Sequence, residues 1–324
     1  WCYYSVNTRR CGTVFAIDGR STWLVHNHLH PDEPEFDSVD RDQSIRNILG
    51  VDDHFEYEII TKEDWVGKRL LSNHFRDRRV FLAGDAAHLW VPYAGYGMNA
   101  GIADATNLAW LLGAVVNGWA HADILNAYEA ERHPITEQVS HFVMNHAQKM
   151  IKARRAVPHN IEDPDAEGAA ARELVGAEAY DLNVQQFCCE GLNFGYFYEK
   201  SPIISQEAEP APAYTMGSFT PSTLPGCRAP HFWRDNGTSL YDSLGTGYSL
   251  LRFDSKIEVK ELLKHAELAN MPLQLIDLEQ ETHKPSAYAH PLVLCRTDQH
   301  VVWRGHELPH ALPAFIAFLC GKPV

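Results

Sequence analysis

The chain has 324 residues, 45% apolar and 22% charged, with a formal net charge of −14. That length exceeds what one core usually supports, so two or three domains are expected. The acidic balance argues against nucleic acid or an anionic membrane as the main partner.

In chain order, residues 1–78 read as mostly β, with strand candidates at Cys2–Val6, Gly12–Ile17, Thr22–His30 and Phe55–Thr61. Asp18-Gly19 is a hairpin signal between two of them. Ser44–Leu49 suggests a short helix. Residues 79–157 open with a buried strand candidate, Val80–Ala83. A loop and a helix over Asn99–Val116 come next. Ile102, Ala105, Ala109, Leu112 and Val116 recur there at helical spacing, flanked by Leu108, Leu111 and Val115. Apolar residues around most of the circumference predict a buried helix. Asp123–His133 is a second helix, and Pro134 fits the first turn of a third, reaching about Arg155. Residues 158–224 read as a connecting region with a short helix near Ala169–Glu178. Residues 225–324 suggest a small α/β domain. Its strands are Tyr248–Phe253, Leu273–Leu278, Leu292–Cys295 and Val301–Arg304, and its helices Ile257–Ala269 and Leu312–Leu319.

Seven cysteines, at 2, 11, 188, 189, 227, 295 and 320, include no Cys-x-x-Cys. Neither a disulfide framework nor a metal site is indicated, and a cytoplasmic protein is expected. No apolar run approaches the ~18 residues of a membrane span.

The chemistry concentrates in Arg79–Leu112. Asp85, next to Gly84 at a strand's end, is placed to accept hydrogen bonds from a polyol. Pro92, Gly95 and Gly97 shape a loop that lets backbone approach a ligand. Asn99 and Ala100 then open a helix, whose free N–H groups favour negative charge. Polyol, phosphate and an electron-accepting ring together describe a flavin nucleotide.

This stretch resembles the second flavin motif of the FAD-dependent class A aromatic hydroxylases, the group that includes p-hydroxybenzoate hydroxylase and phenol monooxygenases. Arg79, Val80, Leu82, Gly84, Asp85, Ala86, Ala87 and His88 match its R-V-x-L-x-G-D-A-A-H. Pro92, Gly95, Gly97, Asn99, Gly101, Asp104, Ala105, Asn107, Leu108, Trp110 and Leu112 match the remainder of the motif. Ala127–Pro134 resembles the family's A-Y-x-x-E-R-x-P. The resemblance implies a mixed α+β and α/β fold. It would comprise part of a β-rich substrate domain (1–78), the C-terminal part of the FAD-binding domain (79–157), a connecting region (158–224) and a thioredoxin-like domain (225–324). It also implies that Asp85 binds the ribityl chain of FAD, and that backbone near Met98 and Asn99 faces the pyrimidine edge. The implied reaction is hydroxylation of a small phenol-like aromatic, with NADH or NADPH, O₂ and a flavin C4a-hydroperoxide; a homodimer is an added expectation.

Departures from the pattern are specific. Val91 replaces a Pro, Ala94 stands where Gly or Asn is common, and Leu111 replaces a Lys. No G-x-G-x-x-G occurs, and Asp18-Gly19 does not stand in for the family's middle D-G motif. The chain therefore resembles the C-terminal two-thirds of such an enzyme and is expected to be part of a longer protein. His26, His28 and His30 alternate on one strand candidate, and the period-two spacing puts them on one face. His26 and His28 are the candidates for a proton-accepting role in a substrate pocket. Competing expectations are a non-catalytic homologue acting as an interaction module, and a flavin enzyme oxidising a larger polycyclic substrate. The tail lacks the paired cysteines that thiol exchange needs.

Overall fold

The computed structural model describes residues 2–30 and 32–322. The chain forms two compact units: Trp1–Gly67 with Asn145–Val184, and Lys68–Met144 with Gln185–Val324. This grouping cuts across the expected boundaries after 78, 157 and 224.

In the first unit, β1 (Cys2–Ser5), β2 (Gly12–Ala16) and β3 (Trp23–Asn27) form an antiparallel sheet in the order β1-β2-β3. The Asp18-Gly19 turn joins β2 to β3: Asp18 Oδ1 accepts the N–H groups of Arg20, Ser21 and Thr22. Helix α1 (Arg41–Leu49) starts on an Asp40 cap and stops at Gly50 in the left-handed region. It is tied to the sheet by Asn7, whose Nδ2 donates to Asn47 O at 3.1 Å.

Two strand expectations fail here. β3 ends at Asn27, so His28 and His30 lie beyond it and the three histidines do not share a strand. Side chains take the backbone groups a ladder would use: Arg10 Nη2 donates to His28 O, and Glu33 Oε2 accepts the His30 N–H. Phe55–Thr61 forms no strand. Arg46 Nη1 binds the carbonyls of Asp52 and Phe55, and Tyr57 bonds to Asp42, so bonds to α1 side chains hold this segment instead of a partner strand.

The second unit begins with short antiparallel pairs. β4 (Leu70–Leu71) pairs with β7 (His88–Leu89), and β5 (Arg76–Asp77) with β6 (Val80–Phe81). The expected buried strand 80–83 shrinks to β6, one half of a two-stranded ribbon, and Val80 is 64% exposed. Helix α2 spans Tyr96–Val116 and so starts three residues before the expected Asn99. It is not buried all round: Met98, Ile102, Ala105, Ala109 and Val116 form an exposed stripe, while Ala100, Asp104, Asn107, Trp110, Leu111 and Ala114 are buried. Of the residues at helical spacing, Ile102, Ala105, Ala109 and Val116 thus face outward, while Leu112 is half-buried against the core.

Helix α3 (Asn126–Arg155) replaces the two helices expected on either side of Pro134. The proline removes one helical hydrogen bond, but Tyr128, Ile135, Val139 and Val143 lie buried along one face and carry the helix through. α4 (Ala166–Phe187) is far longer than the helix expected at 169–178, and α5 is Glu190–Phe194.

The tail follows its expected pattern closely. β8 (Tyr248–Arg252), α6 (Lys260–Leu268) and β9 (Leu273–Asp277) make a parallel β-α-β unit. β10 (Leu292–Arg296) and β11 (Val301–Gly305) add an antiparallel hairpin, and α7 (Leu312–Leu319) closes the domain. The sheet order β11-β10-β8-β9 is thioredoxin-like. One core joins this domain to the helices before it: Trp110 of α2 meets Tyr248 of β8 edge-on, ring centres 6.1 Å apart. Among the described residues no helix is long and apolar enough to cross a membrane.

Candidate flavin site

The turn after β6 carries the first candidate residues. Gly84, Asp85 and Ala86 form a single 3₁₀ turn, with Gly84 at φ +57°. Only glycine takes that angle without a steric penalty. The turn lies against α2, where a Cβ on Gly101 would come within 3.3 Å of Gly84 Cα. Asp85 itself is exposed, and no bond from another described residue engages its carboxylate. A charged acceptor held out on a pinned turn is what a polyol ligand requires.

The second group lies where α2 begins. Pro92 precedes a 3₁₀ turn, Tyr93–Gly95, and Gly95 caps α2 with φ +58°. Ala94, where the resembled family has Gly or Asn, sits at φ +60°. This is the left-handed region, strained for a residue with a Cβ. Its N–H donates to Gln186 Oε1 at 3.3 Å, which helps hold the turn. Because the helix starts at Tyr96, the N–H groups left without intrahelical acceptors belong to Tyr96, Gly97 and Met98, not to Asn99 and Ala100. Asn99 Nδ2 donates to Gly95 O at 2.8 Å, and Ala100 is buried at 1% exposure. Nothing lies within 4 Å of a Cβ built on Gly95 or Gly97, so the approach to these donors is open. The pinned glycine, free carboxylate and open helix start suit the polyol and electron-accepting ring of a flavin.

Beneath the turn is a buried polar network whose roles the motif does not reveal. Asp104 is fully buried on α2. Its Oδ2 accepts the Gly84 N–H at 3.1 Å and lies 2.8 Å from His88 Nε2; its Oδ1 accepts Arg132 Nε at 2.9 Å. Burial alone would raise this carboxyl, but the hydrogen bond from His88 and the charge of Arg132 hold it below the usual carboxylate range. His88 also stacks on Trp90, ring centres 4.7 Å apart.

The neighbour of Arg132, Glu131, faces the tail. Arg296 of β10 grips it with bonds of 2.6 and 2.9 Å and binds Asp298 with bonds of 3.0 and 2.6 Å. Asn107 of α2 and Ser201 also donate to Glu131. Glu131 and Arg132 are the E-R of the Ala127–Pro134 motif, so that half of the network is signalled in the sequence. Asp104 and Asn107 on α2 also stand at motif positions, but neither the motif nor helical periodicity, which weighs hydrophobicity, shows that they are buried in ion pairs and hydrogen bonds. Leu111, standing where the family has Lys, is fully buried.

His26 and His28 belong to the other unit. His26 packs edge-on against Phe15, ring centres 4.9 Å apart. His28 Nε2 is buried without a partner among the described residues. Burial and then the cations Arg154, His26 and Arg10 push its pKa down to about 4, so the ring is neutral at neutral pH. The cysteines are free, and burial pushes the Cys227 thiol up to about 12, away from thiolate chemistry.

Comparison with known proteins agrees with the geometry. Residues 1–143 match the model of an FAD binding domain. An FAD-dependent monooxygenase of Penicillium oxalicum, opdD, is 31% identical over 316 residues, 92% of this chain and 59% of that protein. A phenol 2-monooxygenase of a Pseudomonas species is 25% identical, covering 88% of this chain and 52% of its own. Among solved structures, the rebeccamycin biosynthetic enzyme RebC with reduced flavin superposes with a TM-score of 0.80 at 29% identity, over 96% of this chain and 56% of RebC. The chain spans about half the length of the curated relatives it matches. With the motif, the fold and these relatives in agreement, the chain belongs to the class A FAD-dependent monooxygenases.

Proposed function

We propose that this chain is the flavin-facing and C-terminal portion of an enzyme that hydroxylates a phenol-like aromatic, using FAD, O₂ and NADH or NADPH. The observation that carries the reading is Asp85: an exposed carboxylate with no partner among the described residues, on a turn pinned to the helix whose N-terminus opens nearby. When bound, FAD supplies hydride acceptance and oxygen activation, which no side chain can provide. The chain's residues bind and orient. Asp85 would accept hydrogen bonds from ribityl hydroxyls. The N–H groups of Gly97 and Met98 would face negative charge on the pyrimidine edge, preorganised donors that need not reorient. The Pro92–Gly95 turn would wall the ring. His26 and His28 stay the candidates for accepting a phenolic proton, and His28, with its pKa pushed down to about 4, is the weaker base that burial makes it.

A larger, polycyclic aromatic is the second reading, favoured by the likeness to a putative polyketide hydroxylase of Streptomyces halstedii, 33% identical over 71% of this chain. A screen of the complete protein with NADH and NADPH, against simple phenols and polycyclic phenols, separates the two. The first reading expects substrate-stimulated oxidation and a product with one added oxygen from simple phenols. Stimulation by polycyclic compounds alone selects the second. A protein that carries no flavin and oxidises neither nicotinamide would overturn both.

A further inference from the structure

Asp104 has no part in the proposed cofactor contacts, yet four observations converge on it. It lies wholly buried on α2, beneath the candidate cofactor turn. It accepts the N–H of Gly84, the residue immediately before Asp85, at 3.1 Å. The same turn packs tightly on α2 at Gly101, where a Cβ would come within 3.3 Å of Gly84 Cα. Finally, Arg132 and His88 satisfy the carboxylate from other directions, at 2.9 and 2.8 Å.

Asp85 is exposed, and among the described residues no side-chain bond of its own holds it. A three-residue turn with left-handed glycine geometry has few internal restraints, so its orientation comes from what grips its backbone. We propose that Asp104 is a positioning residue of the cofactor site: its carboxylate anchors the Gly84 N–H and thereby aims Asp85 at the flavin's polyol. Arg132 and His88 fix the direction of the Asp104 carboxylate; an ionised group so deeply buried needs such partners to stay charged. The inference rests on the reading that Asp85 binds that polyol.

A purely structural Asp104 would affect stability, and its effect on FAD would be independent of Asp85. A positioning Asp104 acts through Asp85, so the two effects must not add. The test is a double-mutant cycle on the FAD dissociation constant of the complete protein, read by flavin fluorescence. Asp85→Ala is expected to weaken FAD roughly 10- to 100-fold, the loss of bonds to a charged group. Asp104→Asn, which turns an amide N–H or a weaker neutral oxygen toward Gly84, is expected to cost a substantial part of that factor. In the Asp85→Ala background it should add less than about two-fold.

If Asp85→Ala weakens FAD while Asp104→Asn does not, or if the two losses multiply, the positioning role is overturned and the reading of Asp85 stands. If Asp85→Ala alone leaves affinity unchanged, that reading falls and this one with it. Should Asp104→Asn not yield folded protein, His88→Leu replaces it in the cycle, with His88→Gln as the conservative rescue that keeps a donor. The expected result is weakened FAD for His88→Leu, recovery for His88→Gln, and no further loss beside Asp85→Ala. Unchanged affinity, or a loss that multiplies with Asp85→Ala, refutes the proposal.

Discussion

The two faces of α2 make an instructive pair. The buried face carries Asp104 and Asn107, while the exposed one carries Met98, Ile102 and Val116 at 73%, 56% and 82% exposure. Hydrophobicity alone would not place Asp104 and Asn107 inside. What places the polar face inside is a set of partners brought from elsewhere in the chain: Arg132 and Glu131 from α3, Arg296 from β10, and the Gly84 N–H. Burial of charge is tolerable only when paired and hydrogen-bonded, and here the pairing fastens the candidate flavin turn and the thioredoxin-like tail to the same helix. The exposed face is free of such constraints.

Breaking the buried network should therefore have the largest effect. Arg296→Met leaves Glu131 and Asp298 buried without their guanidinium and is expected to destabilise the fold by about 3–5 kcal/mol; urea unfolding measures it, and a loss under about 1 kcal/mol would deny the network its anchoring role. The contrast between faces is sharpened by a pair of variants on one helix. Leu111→Ala, at a fully buried position, is expected to cost about 2–5 kcal/mol. Ile102→Ser on the exposed stripe should change stability by no more than about 0.5 kcal/mol. Equal costs would erase the distinction.

Acid provides a third probe. Asp104 and Asp298 are both held below the ordinary carboxylate value of 3.8, by His88 and Arg132 in one case and by Arg296 and His300 in the other, against the upward push of burial. A lowered folded-state pKa confers stability that is complete above the unfolded value and is lost as pH falls toward the folded one. Unfolding free energy should thus decline below about pH 4, by at most about 1.4 kcal/mol per pH unit for each such group. Asp298→Asn should flatten that decline; an unaltered slope would contradict the assignment. A small effect of opposite sign is expected at Ala94. Replacing it with Gly relieves a left-handed Cβ and should raise stability by about 0.5–1 kcal/mol, visible as a higher melting temperature; a lower one would show that the Cβ contributes packing that outweighs the strain.

Much of this architecture is legible in the sequence where local signals and tertiary needs agree. The tail's β-α-β then hairpin then helix pattern follows its apolar runs, and Gln299 takes the left-handed angle (φ +73°) in the hairpin expected around Asp298-Gln299. The Gly84-Asp85 turn also lies where its motif puts it. Legibility fails where distant partners decide. Pro134 reads as a helix start, yet the buried face of α3 runs straight through it. Phe55–Thr61 alternates like a strand but is held by Arg46. The start of α2 moves to Tyr96 because Ala94 and Gly95 adopt left-handed angles that composition does not announce. The inward turn of Asp104 depends on an arginine 28 positions later.

Whether the Gly84-Asp85 turn and the start of α2 hold FAD is decided by an experimental structure of the complete protein with FAD bound. The expected result is an Asp85 carboxylate oxygen within about 3 Å of a ribityl hydroxyl, the Gly97 and Met98 N–H groups facing the pyrimidine edge, and Asp104 still bonded to the Gly84 N–H. A flavin bound elsewhere, or an Asp85 left pointing into solvent beside it, would contradict the assignment of this site.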